Sequence, residues 1–344
     1  MLAKTRATDG ALYVEERHSH EITSNGEAQT SVSQTNHELK SAAIGRFWKH
    51  TVGGQLVALR LFSQFAETVS KLERWGWSVD RIRAELAPCR EIFATSPFMR
   101  RCQQWQRGHA GDFETIDYLT AGVNQCAPGS VGWHFEEILL NSPIARQHRN
   151  RLQHQSQEIA HAVRRNRTAR ILSIACGGCL DWLPVLPLLD KFAGKIVLND
   201  CDPGALALAT ERLQPVAGQI QLAAGDILRL AKRLGNGGRF DLVVAGGLFD
   251  YLSDTAAIFL LNAIRQYLLA SGGVLFFTNI AKGNPWRTLM EHGSNWNLIE
   301  RTEKQIRELC RDAGISQSAV SLERDSTELT ILTRVEQRGM RVVS

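Results

Sequence analysis

Long apolar runs are missing from this 344-residue chain. No stretch of 18 apolar residues is present to span a bilayer, and the first residues lack the apolar core of a secretory signal, so a cytoplasmic location is the expectation. An excess of one charge is missing too. Forty Lys and Arg stand against 35 Asp and Glu, and a net +5 over so large a surface calls for no nucleic-acid partner. Cysteine is sparse and odd in number, with seven at positions 89, 102, 126, 176, 179, 201 and 310, which argues against a disulfide framework. Cys176 and Cys179 form a C-x-x-C, but no second pair follows at zinc-ligand spacing, so no metal is called for. The spacer of Gly177 and Gly178 favours two small packing residues in a turn over a redox dithiol.

At about 150 residues per domain the length suggests roughly two domains. Residues 1–38 are rich in Ser, Thr, Asn, Gln and charge, with few large apolar side chains, and read as a disordered tail. Residues 39–166 read as a helical domain. Leu56, Leu59, Phe62, Phe65, Val69 and Leu72 recur every three or four positions, Gly76 ends that helix, and Ser78 is placed to cap the next. The glycine-rich segment "RGHAGDFETIDYLTAGVNQCAPGSVG" interrupts the helices, and an irregular segment of this length is usually functional or disordered. Arginines 164, 165, 167 and 170, without interleaved aromatics, read as a solvated helix end.

From 167 to 344 the pattern changes to short apolar runs alternating with helices: "RILSIAC" from 170, "KIVLND" from 195, "IQLAAGD" from 220, "FDLVVAGG" from 240 and "GGVLFFTNI" from 272. Such runs predict five parallel strands buried on both faces of a doubly wound, Rossmann-like α/β sheet. "SAVSLE" and "LTILTRV" are separated by only "RDSTE", too short for a parallel crossover, and predict a closing antiparallel hairpin.

Chemistry gathers at the predicted strand ends. The first strand runs into "CGGCLDW", where Cys176, Gly177 and Gly178 form a turn a ligand can approach closely. The second ends in "NDCD", which places Asp200, and Asp202 beside it, where an acid can accept from both ribose hydroxyls. The third ends in Gly225-Asp226 followed by Ile227, suited to an adenine amino group, and the fourth in Gly246-Gly247. The dinucleotide fingerprint G-x-G-x-x-G is absent, and Asp181 would sit poorly against a pyrophosphate but well against the ammonium of an amino-acid tail. An adenosine ligand without phosphate, S-adenosylmethionine, is therefore favoured over NAD.

These motifs, "ILSIACGGCLDW", "VLNDCDPGALALA", "AAGDIL" and "FDLVVAGGLFDYL", resemble those of class I S-adenosylmethionine-dependent methyltransferases. Within that class, "SPFMRRCQQWQRGHAGDFETIDYL", "NSPIARQHRNR", "GLFDYLSD" and "FTNIAKGNPWRTLMEHGSNWNLIERT" are similar to the bacterial 3-hydroxypalmitic acid methyl ester biosynthesis family, over about residues 95 to 305. Two departures are His109, where that family has tyrosine, and Gly178-Cys179 in place of a Gly-Pro turn. The resemblance implies methyl transfer from S-adenosyl-L-methionine to a small-molecule or acyl acceptor in secondary metabolism, most simply at a carboxylate oxygen. It also makes 39–166 an acceptor-facing cap and 167–344 the cofactor domain, with a homodimer left open.

A carboxylate acceptor is already ionised and needs a cationic or hydrogen-bonding clamp rather than a base, whereas a hydroxyl or amine acceptor would call on His109. Candidate acceptor-side residues are His109, Tyr118 and Tyr251 for catalysis, and Arg107, Asp112, Asn279, Trp286, Arg287 and Trp296 for binding. A plainer expectation is that Arg107 and Asp112 pair with each other to pin the helical domain, and that the tryptophans are packing residues. Aminocarboxypropyl transfer or cyclisation on the same ligand, an NAD-dependent oxidoreductase, and a non-catalytic binding protein are the alternatives.

Overall fold

A computed structural model describes residues 26–38, 51–109 and 111–337. Twelve α-helices and seven strands, besides short 3-10 and π turns, are assigned among them: α1 (26–38), α2 (Thr51–Arg74), α3 (Val79–Glu85), α4 (Ala87–Phe93), α5 (Pro97–Gln104), α6 (Phe113–Ala121), α7 (Val131–Asn141), α8 (Pro143–Arg165), β1 (Arg170–Ile174), β2 (Lys195–Asp200), α9 (Pro203–Arg212), β3 (Ile220–Ala224), α10 (Ile227–Asn236), β4 (Phe240–Ala245), α11 (Asp254–Ala263), β5 (Leu269–Ile280), α12 (Glu303–Asp312), β6 (Val320–Arg324) and β7 (Thr330–Glu336). No helix among the described residues is long and apolar enough to cross a membrane.

The chain divides into two compact units. The first holds the described residues up to Gln104, Asn124–Ile138 and Thr288–Trp296, and the second holds the described residues of Trp105–Val123, Leu139–Arg287 and those from Asn297 onward. The division does not follow a single cut at residue 166. Helix α8 belongs with the sheet because its Ile159, Ala160 and Val163 share a buried cluster with Ile171, Ile196 and Leu198.

In the first unit α2 buries Leu61, Phe62, Phe65, Val69 and Leu72, and Phe62, Phe65, Phe93 and Phe135 form a ring cluster with centroids 5.0 to 5.3 Å apart. Such tilted and edge-on pairs are the favoured aromatic geometries. The apolar stripe is narrower than the sequence periodicity predicts, since Leu56 and Leu59 are exposed. Gly76, with φ 77°, follows the end of α2, and the Ser78 hydroxyl accepts Arg81 N–H to cap α3. The expectation of disorder over 1–38 is corrected for its described part. Residues 26–38 are helical because Ala28 and Val32 are buried and Thr35 shares a hydrogen bond of 2.8 Å with Thr68 of α2. The polar composition hid that short apolar face.

In the second unit the strand order is β3-β2-β1-β4-β5-β7-β6. Strands β1 to β5 are mutually parallel, and β7 is antiparallel to both β5 and β6. One sheet face is covered by α8, α9 and the segment around Trp182 to Phe192, the other by α10, α11 and α12. Parallel register brings the carboxyl ends of β1 to β4 to one edge, where Ile174 lies opposite Asn199, Asp200 opposite Ala224, and Ser173 opposite Val244. The order reverses between β1 and β4, which is the crevice where open α/β sheets bind ligands.

Candidate active site

The turn after β1 is left-handed at alternate residues: Ala175 (φ 48°), Gly177 (φ 51°) and Cys179 (φ 56°). Only one of the three is glycine, so Ala175 and Cys179 hold a conformation that costs L-residues roughly 1 to 2 kcal/mol each. Alternation of this kind turns successive backbone N–H groups toward one side. The sequence marks both Gly177 and Gly178 as turn formers, but Gly178 serves a different need. A Cβ there would stand 2.2 Å from Nη1 of Arg212, which donates to the Gly178 carbonyl at 2.9 Å. Cys179 is buried in the core cluster that covers one face of the sheet, and a hydrogen bond from Cys176 and burial push its thiol well up.

Asp200 closes this turn. Its Oδ2 accepts the Gly177 N–H at 2.9 Å and its Oδ1 accepts the Asp202 N–H at 2.9 Å, and each carboxylate oxygen retains a further lone pair. Asp226 caps α10 by accepting Leu228 N–H at 2.9 Å, with Ile227 buried behind it. Asp181 is buried, and desolvation pushes its carboxyl up to about 7 against the pull of its own and Trp182's backbone N–H groups. No cationic side chain among the described residues pairs with it. The Asp181 carbonyl accepts the Ser156 hydroxyl of α8 at 2.6 Å. At the end of β4, a Cβ on Gly246 would stand 2.2 Å from the Gln155 amide, and one on Gly247 would stand 3.4 Å from Arg151.

The segment Trp105–Val123 is tied down over this edge by two ion pairs. Arg107 grips both oxygens of Asp202 at 2.6 and 2.7 Å, reaches Glu114 at 3.3 Å and stacks 4.6 Å over Phe113. Asp202 is held below the usual carboxylate range by that guanidinium. Arg212 grips Asp117 of α6 at 2.6 and 3.1 Å. The Phe113 Cβ lies 3.5 Å from where a Cβ on Gly177 would be. The pairing expected between Arg107 and Asp112 is therefore corrected: Asp112 is buried and caps α6 through Thr115 N–H at 2.8 Å.

Of the other candidates, His109 is exposed on the same segment, Tyr118 is half-buried on α6, and Tyr251 is exposed just past β4. Asn279 is spent inside the fold, donating to Ile299 O at 2.8 Å and accepting from Arg301 at 2.7 Å. Trp286 and Arg287 are half-buried beyond β5. Trp296 belongs to the first unit, where it packs 6.3 Å from Phe98. Arg212, Arg151 and Gln155 carry no sequence signal of their own. Among the described residues of the helical unit, Glu73, Glu291 and His292 form a trio able to ligate a metal. There His292 Nε2 already meets Glu73 at 2.9 Å, and Arg83 and Arg90 bond the carbonyls of Glu291 and His292, a cationic surround that disfavours another cation.

No family model and no curated protein matches the chain. Solved structures do. A possible exported protein from Bordetella parapertussis aligns with TM-score 0.52 and 20% identity over 66% of this chain and 80% of that one. A CurJ carbon methyltransferase aligns with TM-score 0.50 and 13% identity over 93% and 99%. Magnesium protoporphyrin IX methyltransferase from Synechocystis PCC 6803, bound to SAH, aligns more loosely, with TM-score 0.43 and 15% identity over 57% and 87%. Likeness at these identities establishes fold alone. It is a Rossmann-like α/β fold with a seven-stranded, mostly parallel sheet, shared with methyltransferases.

Proposed function

We propose that this chain is an S-adenosylmethionine-dependent methyltransferase acting on a small or lipid-like carboxylate. The observation that carries the reading is the convergence of three acids, Asp181, Asp200 and Asp226, around a left-handed turn at the switch point of a methyltransferase-type sheet. The residues fit this cofactor. A buried carboxyl without a cation complements an ammonium, Asp200 has lone pairs for ribose hydroxyls, and Asp226 with Ile227 offers an acceptor and an apolar surface for adenine. When bound, the cofactor supplies an electrophilic methyl on a sulfonium.

In this reading Cys176, Gly177 and Gly178 let the backbone approach the ligand, Gly246 and Gly247 form the opposite wall, and Asp202 acts through Arg107 rather than by direct contact. Arg107 and Arg212 hold the segment 105–123 over the crevice and help exclude water, while Tyr118, Tyr251, Trp286 and Arg287 orient the acceptor. Asn279 and Asp112 support that arrangement from inside the fold. Resemblance to the 3-hydroxypalmitic acid methyl ester family supports an acyl carboxylate, which is ionised at neutral pH and leaves His109 with no proton to remove.

The test is mass spectrometry after incubating the protein with methyl-labelled S-adenosylmethionine and a bacterial extract. Label in an ester, with S-adenosylhomocysteine as the spent product, is expected. Methylthioadenosine would show aminocarboxypropyl chemistry instead, and no turnover of the cofactor would sink the proposal.

A further inference from the structure

A second polar cluster lies at the same sheet edge, and the three acids do not explain it. Helix α8 passes the end of β4 and presents His148, Arg151 and Gln155 there, three and four residues apart and so on one face. Arg151 Nη1 donates to Asp250 Oδ2 at 3.0 Å, and its Nη2 donates to His148 Nδ1 at 2.7 Å. A guanidinium has no acceptor, so His148 Nδ1 accepts, and the neutral ring carries its proton on Nε2. Burial, with Arg151 and Arg149 nearby, drives protonation of that ring well below its ordinary range.

Two donors are then left over. Arg151 Nε–H and His148 Nε2–H are both buried and meet no acceptor among the described residues. Buried donors are nearly always satisfied, so an acceptor from outside the chain is called for. The charges lean the same way. Arg151 and the buried Arg301 both act on the single buried carboxylate Asp250, while Arg301's other carboxylate, Asp254, is 65% exposed. The Arg151 guanidinium lies 3.4 to 3.8 Å from where a Cβ on Gly247 would be, which places it against the turn that ends β4.

The geometry points to a carboxylate-binding subsite formed by Arg151 and His148 at the end of β4. It rests on the methyltransferase reading for its neighbours: the carboxylate belongs either to the amino-acid tail of the cofactor, whose ammonium meets Asp181, or to the acceptor. The Ser156 bond to Asp181 places α8 beside the β1 turn, so either source is within the same crevice.

Calorimetry on wild type, Arg151→Lys and His148→Leu distinguishes these. Arg151→Lys preserves a charge for Asp250, and His148→Leu preserves the Arg151 to Asp250 pair, so at least one variant folds, as circular dichroism checks. The probes are S-adenosylhomocysteine, methylthioadenosine, which lacks the tail carboxylate, and octanoate against octanamide. If the subsite holds the cofactor tail, S-adenosylhomocysteine weakens by about tenfold or more in the variants while methylthioadenosine stays within about twofold. If it holds the acceptor, both nucleosides are unchanged and octanoate, not octanamide, loses affinity. Unchanged binding of all four probes means the donors meet only water and overturns the subsite. Wild type that binds neither nucleoside refutes the methyltransferase reading, and the octanoate titration then decides the subsite alone.

Discussion

Cofactor binding in this site should release a proton from Asp181. Burial holds its carboxyl at about 7 against an ordinary 3.8, so the free protein carries it protonated through mildly acidic pH. An incoming ammonium requires the ionised form, so affinity rises with pH through the acid range and levels off above about 7. At pH 6, one unit below that value, roughly nine in ten molecules must first lose the proton, a cost of about 1.4 kcal/mol or a tenfold weaker Kd than the plateau. At pH 5 the factor is about a hundred. Titrating S-adenosylhomocysteine from pH 5 to 8, in pairs of buffers with different ionisation enthalpies, gives both Kd and protons released. About 0.9 proton is expected at pH 6 and about 0.1 at pH 8. The Asp181→Asn variant should bind more weakly at pH 8 and show a flat profile. A pH-independent Kd in wild type, or the same slope in Asp181→Asn, would refute the role of this carboxyl.

The same group makes the free protein less stable as pH rises. Its folded pKa lies above the unfolded one, so its contribution is full below about 4 and is lost through about 7, by up to about 4 kcal/mol. The difference in urea stability between wild type and Asp181→Asn isolates it, because His148 and His292, whose rings burial shifts below their ordinary range, act with the opposite sign. Ala175→Gly relieves a left-handed alanine, less the entropy that glycine adds to the unfolded chain, for a net gain of about 0.5 to 1 kcal/mol by urea unfolding. A loss of that size would contradict the turn geometry. Arg212→Ala frees both Asp117 and the Gly178 carbonyl, so amide exchange over 113–121 should accelerate several-fold while global stability falls by only about 1 kcal/mol. His109→Gln leaves turnover within about twofold if the acceptor is a carboxylate, whereas a drop of about a hundredfold would mean an acceptor with a proton to lose.

Much of the second unit was legible because buried parallel strands and their ends have local signals. The five runs from Arg170 to Ile280 fall within a few residues of the observed strands, and the short "RDSTE" link gave the antiparallel hairpin. Asp200 and Asp226 stood out by position, at the carboxyl ends of β2 and β3, although both also have structural work there and β3 itself is largely exposed at the sheet's edge, not buried on both faces as its apolar run suggested. Features built by distant residues were not legible. Arg107 meets Asp202, and Arg212 meets Asp117, across 95 positions each: Arg107 stood out as an acceptor-side residue but its pairing with Asp202 did not, and nothing local marks Arg212. The left-handed turn was obscured because two of its three positions carry Ala175 and Cys179 rather than glycine. In the helical unit, Leu56 and Leu59 fit the apolar period but lie exposed, since periodicity gives a helix face without giving the width that its neighbours cover.

A crystal structure with S-adenosylhomocysteine would test the proposed crevice most directly. The proposal requires both ribose hydroxyls within about 3 Å of the Asp200 carboxylate, the ammonium on Asp181 and the adenine beside Asp226 and Ile227. A nucleoside bound away from the β1 turn, or lying there with its ribose turned from Asp200, would contradict it.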